Sequence, residues 1–246
     1  MTILLQRIKF KKQLIPVLFP LFLAGCVNLD LFGSSFTGTL KNDATASSDF
    51  YMNRIAQTQK LEDQQTYKLL AARVLVNENK VAQAEALLAE LIDLTPEQQL
   101  DKSIIEAHIA AAKRDDSKSQ ALLKMINLTQ LSQNQTARYY QVAARIAENR
   151  NDVIEAVKAR SRMDEVLSDA QKKQENNDRI WALLRNANKG IINNTLTDGD
   201  VALAGWLALA RAYNDNINQP AQLTQTLQNW RASYPNHTAA YLFPTE

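Results

Sequence analysis

The chain has 246 residues, enough for one large domain or two small ones. Hydrophobic residues make up 46% and charged residues 22%, an ordinary globular balance, and the 6 Gly and 6 Pro are too few for a fold of many short strands, which favours helices. The net charge of +2 misleads: Arg7, Lys9, Lys11 and Lys12 sit in the first 26 residues, and without those four the 28 basic residues become 24 against 26 acidic ones, which removes any composition argument for a nucleic-acid partner.

The N-terminus reads as an address. The four cations lie within residues 6–12, and Leu14 to Ala24 form an apolar run of 11 residues. That is the layout of a secretory signal, and the run is too short to cross a bilayer, which takes about 20 residues. It ends in Leu23-Ala24-Gly25-Cys26, which resembles the lipobox of bacterial lipoproteins. The resemblance implies cleavage before Cys26, a diacylglycerol on its thiol and N-acylation of the new terminus. It also gives the one cysteine of an exported chain a task. Several acyl chains, each CH₂ adding about 0.8 kcal/mol when buried, hold a protein on a membrane firmly. Val27 follows rather than the Asp that resembles an inner-membrane retention signal, so the expected site is the periplasmic side of the outer membrane.

Residues 26–48 read as the lipidated cysteine followed by a tether. Residues 33–48 are small and polar without an apolar period. From Val27 to Ser48 such a chain averages about 26 Å end to end and reaches at most about 75 Å.

From Asp49 to Glu246 one all-α domain of about ten helices is expected. Ala84, Leu87, Leu88, Leu91 and Ile92 fall on one helical face. Thr95-Pro96-Glu97-Gln98 and Ser132-Gln133-Asn134-Gln135 carry the capping-box pattern that starts helices. The predicted helices span 49–59, 62–78, 80–93, 96–113, 115–127, 132–149, 151–168, 172–188, 199–214 and 219–234, with 189–198 as an irregular connection.

An internal repeat organises them. Residues 67–84 realign on 139–156, pairing Tyr67 with Tyr139, Ala71-Ala72-Arg73 with Ala143-Ala144-Arg145, Asn79 with Asn151 and Ala84 with Ala156. The offset of 72 is two units of about 36, close to the helix-turn-helix unit of tetratricopeptide-like arrays. Ala72 with Ala84, and Ala144 with Ala156, resemble the small positions where paired helices cross. Trp206-x-x-Leu209-Ala210-x-x-Tyr213 resembles the repeat's signature, with Ala in place of Gly, and Pro235 closes it. One helix pair cannot cover its own apolar face, whereas stacked pairs share a core, so an elongated, curved solenoid is expected.

Little in the sequence points to chemistry. His108 lies mid-helix with no second histidine near it and reads as packed or surface, and His237 reads as a cap or loop residue. Asp115-Asp116 and Glu62-Asp63 stand at helix starts, where negative charge suits the dipole. No metal-ligand set, nucleophile motif or Gly-rich phosphate loop occurs, so no enzyme, metal or cofactor is expected. Lys158 and Arg162 share a helix face, with Arg160 pointing elsewhere, and read either as a solvated face or as a match for a partner's acidic patch. Trp181, Trp206 and Trp230 recur at helical positions and read as core; Trp181, beside Leu183, Leu184 and Arg185, is the one that also has a competing reading, as a candidate partner contact together with Arg185.

These pieces together resemble the N-terminal half of the LpoA lipoprotein family, outer-membrane activators of a penicillin-binding protein. The residues carrying the resemblance are the lipobox, Tyr67-Lys68-Leu69-Leu70-Ala71-Ala72-Arg73-Val74-Leu75, Trp181-Ala182-Leu183-Leu184, Gly205-Trp206-Leu207 and Trp230-Arg231-x-x-Tyr234-Pro235-Asn236-His237. The family implies a non-catalytic, periplasmic regulator of peptidoglycan synthesis, and so of cell shape. It implies a class A penicillin-binding protein of the 1A type as partner, stimulated in its transpeptidase activity, with peptidoglycan as a candidate further contact. Family members continue into a second domain resembling a periplasmic substrate-binding protein, to which contact with the synthase is largely attributed. The expectation is therefore that this chain is the anchor and spacer. Two other readings stay open: a helical-repeat scaffold lipoprotein of an outer-membrane assembly complex, and a lytic transglycosylase with a helical superstructure, though no stretch resembles the catalytic domain of the latter.

Overall fold

A computed structural model describes residues 46–242 of the chain. Signal peptide, lipobox, Cys26 and nearly all of the tether lie outside the described residues. Among those described there are eleven α-helices and two short 3₁₀ turns, Leu128–Gln130 and Thr238–Leu242, and no strand. The helices are α1 Ser48–Gln57, α2 Leu61–Asn77, α3 Val81–Ala89, α4 Pro96–Ala112, α5 Asp116–Lys124, α6 Gln133–Asn149, α7 Val153–Val166, α8 Ala170–Arg185, α9 Lys189–Asn194, α10 Val201–Asn216 and α11 Pro220–Ser233. They fall into two compact units, one running to Asn186 and the other beginning at Ala187.

In the first unit, α2 packs on α3, α4 on α5 and α6 on α7, and α2, α4 and α6 lie side by side in that order. The helix crossings depend on small residues. Ala72, Ala84, Ala144 and Ala156 are all fully buried, which lets the backbones approach. Tyr51, Tyr67, Leu70, Val74, Leu88 and Ile105 belong to one apolar cluster across α1 to α4. Ile104, Ala111, Leu123, Val142 and Ile146 form the next, across α4 to α6.

The turn inside each pair is the same structure three times. Asn79, Arg114 and Asn151 all take positive φ, at 61°, 61° and 56°. The amide after each one reaches back to a helix carbonyl: Lys80 to Leu75 at 2.8 Å, Asp115 to Ala110 at 2.9 Å and Asp152 to Ala147 at 2.9 Å. This is the Schellman closure of a helix end, which needs one left-handed residue. Asparagine tolerates that conformation better than most residues, and arginine adopts it at a cost.

Both capping boxes form as predicted, and each carries a second function. Oε1 of Gln98 accepts the Thr95 N–H at 3.0 Å, while its Nε2 donates to the Glu62 carbonyl at 2.9 Å and to Thr66 Oγ1 at 3.1 Å. Gln135 repeats this one pair later: Oε1 accepts from Ser132 N–H at 3.0 Å, and Nε2 donates to the Glu97 carbonyl at 3.3 Å and to Asp101 at 3.2 Å. Each buried glutamine therefore caps its own helix and clasps the start of the first helix of the preceding pair. A glutamate could do the first task but has no N–H for the second. At the start of the unit, Glu78 accepts the N–H and hydroxyl of Ser48 at 3.2 and 2.6 Å, and those bonds hold its carboxyl down at a pKa of about 2.

The second unit contains a correction. Residues 189–198, expected to be irregular, begin with the short helix α9. Asn188 caps it by accepting the Gly190 N–H at 2.7 Å, Ile192 is fully buried, and Arg211 of α10 donates to the Ile192 carbonyl at 3.1 and 2.8 Å. Two adjacent isoleucines in a helix of six residues, under two turns, leave no helical period to read. The break comes later, at Asp198 and Gly199, where φ is 45° and 83°.

The unit is held by aromatic rings. Trp206, with no exposed surface, meets the His237 imidazole edge to face at 5.3 Å, and Trp230 meets it at 5.5 Å and stacks on Tyr234 at 5.8 Å. Trp230 Nε1 donates to the Gly205 carbonyl at 2.8 Å. His237 lies 2.9 Å from the Ala202 carbonyl through Nε2 and accepts the Ala239 N–H at Nδ1 at 3.1 Å. A carbonyl only accepts and an amide only donates, so the proton sits on Nε2. Gly205 has to be glycine, because a Cβ there would collide with the His237 ring. His237 is thus the cap that the sequence suggested and the centre of this cluster as well.

Candidate interaction surface

Lys158 and Arg162 lie on one face of α7, as their spacing requires, and they line one groove with residues of α5 and α6. The groove has a volume of about 410 Å³. Tyr139 and Tyr140 line it side by side, edge to face at 5.3 Å and 85°. Burial, and secondarily Tyr140, raises the pKa of the Tyr139 phenol, so it stays neutral and keeps a proton to donate. Lys124 and Arg150 add positive charge, against Asp152 and Glu155.

The cations are held by short local pairs. Lys158 reaches Glu155 at 3.0 Å and Arg162 reaches Glu165 at 2.8 Å, each three residues along the helix. More than a third of each of these side chains is exposed, so water screens the pairs and each contributes a few tenths of a kcal/mol at most, about 0.2–0.5. Such pairs exchange readily for a partner's carboxylates. Aromatic rings beside exchangeable cations are the composition of an interface anchor.

The other two members of the sequence-predicted surface do not join them. Trp181 is buried, with 5% of its surface exposed, on the same helix as the fully buried Ile180 and Leu184. The ring is core, the first of the two readings its sequence offered, and the competing reading as a partner contact is the one corrected. Arg185 is exposed in the last turn of α8, where a cation suits the helix dipole, and it does not line the groove. The aromatic contribution comes instead from Tyr139 and Tyr140. Sequence reasoning used Tyr139 only as a repeat marker, and nothing in the spacing marks the tyrosine pair as groove-lining. Arg160 points away from the groove, to Glu148 at 2.8 Å.

His108 is partly enclosed on α4. Burial, reinforced by the charges of Arg145 and Arg73, lowers its pKa to about 4, so the ring is neutral near pH 7. It is placed as a packing residue. Among the described residues, no cluster of three or more His, Cys, Asp or Glu could hold a metal, and no helix is long and apolar enough to cross a membrane.

Comparison with known proteins adds the family context. A family model described as "LppC putative lipoprotein" matches residues 41–246. Two relatives named penicillin-binding protein activator LpoA align over the whole chain: that of Mannheimia succiniciproducens is 70% identical and that of Pasteurella multocida 62%. The chain spans 42% and 43% of their lengths. The crystallised LpoA N-terminal domain of Haemophilus influenzae is 58% identical, with a TM-score of 0.78 over 85% of this chain and 95% of that one. The amino-terminal domain of E. coli LpoA is 32% identical, with a TM-score of 0.75 over 85% and 93%.

Proposed function

This chain belongs to the LppC lipoprotein family, and on that premise we propose that it is the anchoring and spacing half of an outer-membrane lipoprotein that activates a peptidoglycan synthase. Lipid on Cys26 fixes it to the periplasmic side of the outer membrane. The tether from residue 26 to 48 lets the helical units stand off that surface. The partner is a class A penicillin-binding protein of the 1A type, whose transpeptidase is stimulated, and the chain itself does no chemistry. Contact with peptidoglycan on the way is part of the same reading.

One observation carries it: the sequence over the whole chain, and the helical fold over 85% of it, agree with proteins named as penicillin-binding protein activators. The lipobox supports the anchor, and the groove at Tyr139, Tyr140, Lys158 and Arg162 supplies a surface suited to a protein.

The test joins retention to activity. The chain, extended to the length of its relatives and immobilised, is incubated with envelope extract, and purified synthase is assayed with and without it. Retention of a class A synthase and a raised fraction of cross-linked muropeptides are expected. Retention of an outer-membrane assembly complex with neither result would replace this reading by the scaffold one. Labelled palmitate is expected in the wild type and not in Cys26→Ser.

A further inference from the structure

The groove beside Tyr139 has a twin. A groove of about 420 Å³ opens between α3, α4 and α5, and each residue lining it has a counterpart one helix pair later that lines the groove at Tyr139. The shift is 35 residues from α3 to α5, as from Leu88 to Leu123, and 37 from α4 to α6, as from Ile109 to Ile146. The floors match: Leu88, Ile109 and Ala110 in one, Leu123, Ile146 and Ala147 in the other, all buried and apolar. The ends match too. Glu85 of α3 takes Lys113, just past α4, at 2.8 Å, and the equivalent Gln120 of α5 accepts from Arg150, just past α6, at 3.3 and 3.4 Å.

Helix α5 is the ridge between the two grooves. Lys118 and Leu122 line the first, and Leu123 and Lys124 line the second. Because α4 and α6 pack side by side, equivalent points in the grooves lie one helix separation apart, about 8–10 Å. Two side chains seven residues apart on a single helix share a face and stand about 10.5 Å apart, which matches.

The acids that line the grooves are all engaged. Glu85, Glu106 and Glu155 hold Lys113, Lys102 and Lys158 at 2.8, 3.6 and 3.0 Å. Asp115 and Asp152 cap α5 and α7 by accepting the Lys118 and Glu155 amides at 3.2 and 3.1 Å. The two lysines on the ridge differ. Lys118 and Lys124 are exposed, and among the described residues neither ammonium takes part in a hydrogen bond or an ion pair. Carboxylates laid over α5 would meet cations that nothing else holds.

We propose that the twin grooves receive one amphipathic helix of a partner protein, lying across α5, with apolar side chains seven residues apart in the two grooves and acidic side chains between them on Lys118 and Lys124. This rests on the reading of the Tyr139 groove as a protein surface and adds the form and charge of what it takes. It does not depend on the partner being a synthase.

The probe is a fluorescein-labelled helical peptide of about five turns, with two phenylalanines seven residues apart and two glutamates midway between them. One twin moves the second phenylalanine two residues on, to the opposite face, and the other replaces the glutamates by glutamine. Fluorescence anisotropy with the full chain in detergent at low salt is expected to give the probe an affinity about tenfold above each twin. Ala89→Trp, at an exposed position lining only the first groove, is expected to weaken the probe about tenfold by filling that groove. Lys118→Glu with Lys124→Glu is expected to remove the preference for the probe over its glutamine twin. Both variants are expected to keep the wild-type circular dichroism melt, and Lys189→Glu, at an exposed position on α9, to bind as the wild type does. A probe that binds no tighter than either one of its twins would overturn the proposal, as would full affinity in Ala89→Trp or an equal loss in Lys189→Glu. Displacement of the probe by soluble peptidoglycan fragments at lower concentration than by unlabelled probe would overturn it in favour of a cell-wall ligand. Synthase retention and stimulation are read in a separate assay, so the activator reading and this one can fail independently.

Discussion

The two units solve the same problem, covering the apolar side of a helix pair, by different means. The first repeats small devices: buried alanines where helices cross, a left-handed residue in each turn, and a glutamine clasping each pair to the one before. The second concentrates its closure in one place, where two tryptophans, a tyrosine and a histidine meet over Gly205. Repetition spreads stability over many contacts of modest size. An aromatic cluster gathers it into a few residues, each of which matters more.

The sharpest way to break this contrast is Trp206→Ala. Removing a fully buried indole is expected to cost about 3–5 kcal/mol and to accelerate amide exchange in residues 201–242 more than in 61–166. Uniform acceleration would show that the aromatic cluster is not a local closure. Next comes Gln98→Glu. If Gln98 were only a cap, the added charge near the α4 N-terminus would be neutral or favourable. As a clasp it loses both donations to α2 and sets a buried carboxylate against the Glu62 carbonyl, so a loss of about 2 kcal/mol in urea unfolding is expected. The sign of the effect decides between the two.

A third test concerns two titrating groups on α4. The His108 pKa is lowered from 6.5 to about 4, so the unfolded chain takes up that proton first. The stability this group confers is complete above pH 6.5 and is lost as pH falls toward 4. Asp101 has the opposite sign: burial raises its pKa from 3.8 to about 6, so the folded chain is protonated first and gains stability as pH falls through 6 toward 4. The two oppose one another in the wild type. His108→Gln is expected to expose a stability that rises by about 2 kcal/mol between pH 6.5 and 4, and Asp101→Asn one that falls by a similar amount, as read by chemical denaturation across that range. The smallest effect belongs to the turns. Arg114→Asn, which makes the middle turn like its neighbours at Asn79 and Asn151, is expected to stabilise by about 0.5–1 kcal/mol as a rise in melting temperature.

The sequence was most legible where a single helix carries the signal. Both capping boxes were readable from local spacing, and the internal repeat marked the crossing alanines and paired Asn79 with Asn151, which the structure places in equivalent turns. Arg114 escaped the repeat because its identity differs from Asn79 and Asn151 although its backbone does not. The helix α9 escaped because six residues, under two turns, are too few for a period. At the candidate surface, the shared face of Lys158 and Arg162 was legible, and the place of Tyr139 and Tyr140 beside them was not. Helical spacing says which residues share a face and says nothing about which face another helix will cover.

Local pattern, then, determined most of the helices, their capped starts and their pairing, though not the end of α3, expected at residue 93 but reached at Ala89, which leaves Leu91 and Ile92 outside the helix. Those depend on contacts within four residues and on a repeat whose period survives in the chain. Only the tertiary structure decided that Gln98 and Gln135 tie one pair to the next, that His237 needs Gly205, and that equivalent grooves flank α5. Those partners lie far apart in sequence, and nothing in local spacing records a meeting that packing alone brings about.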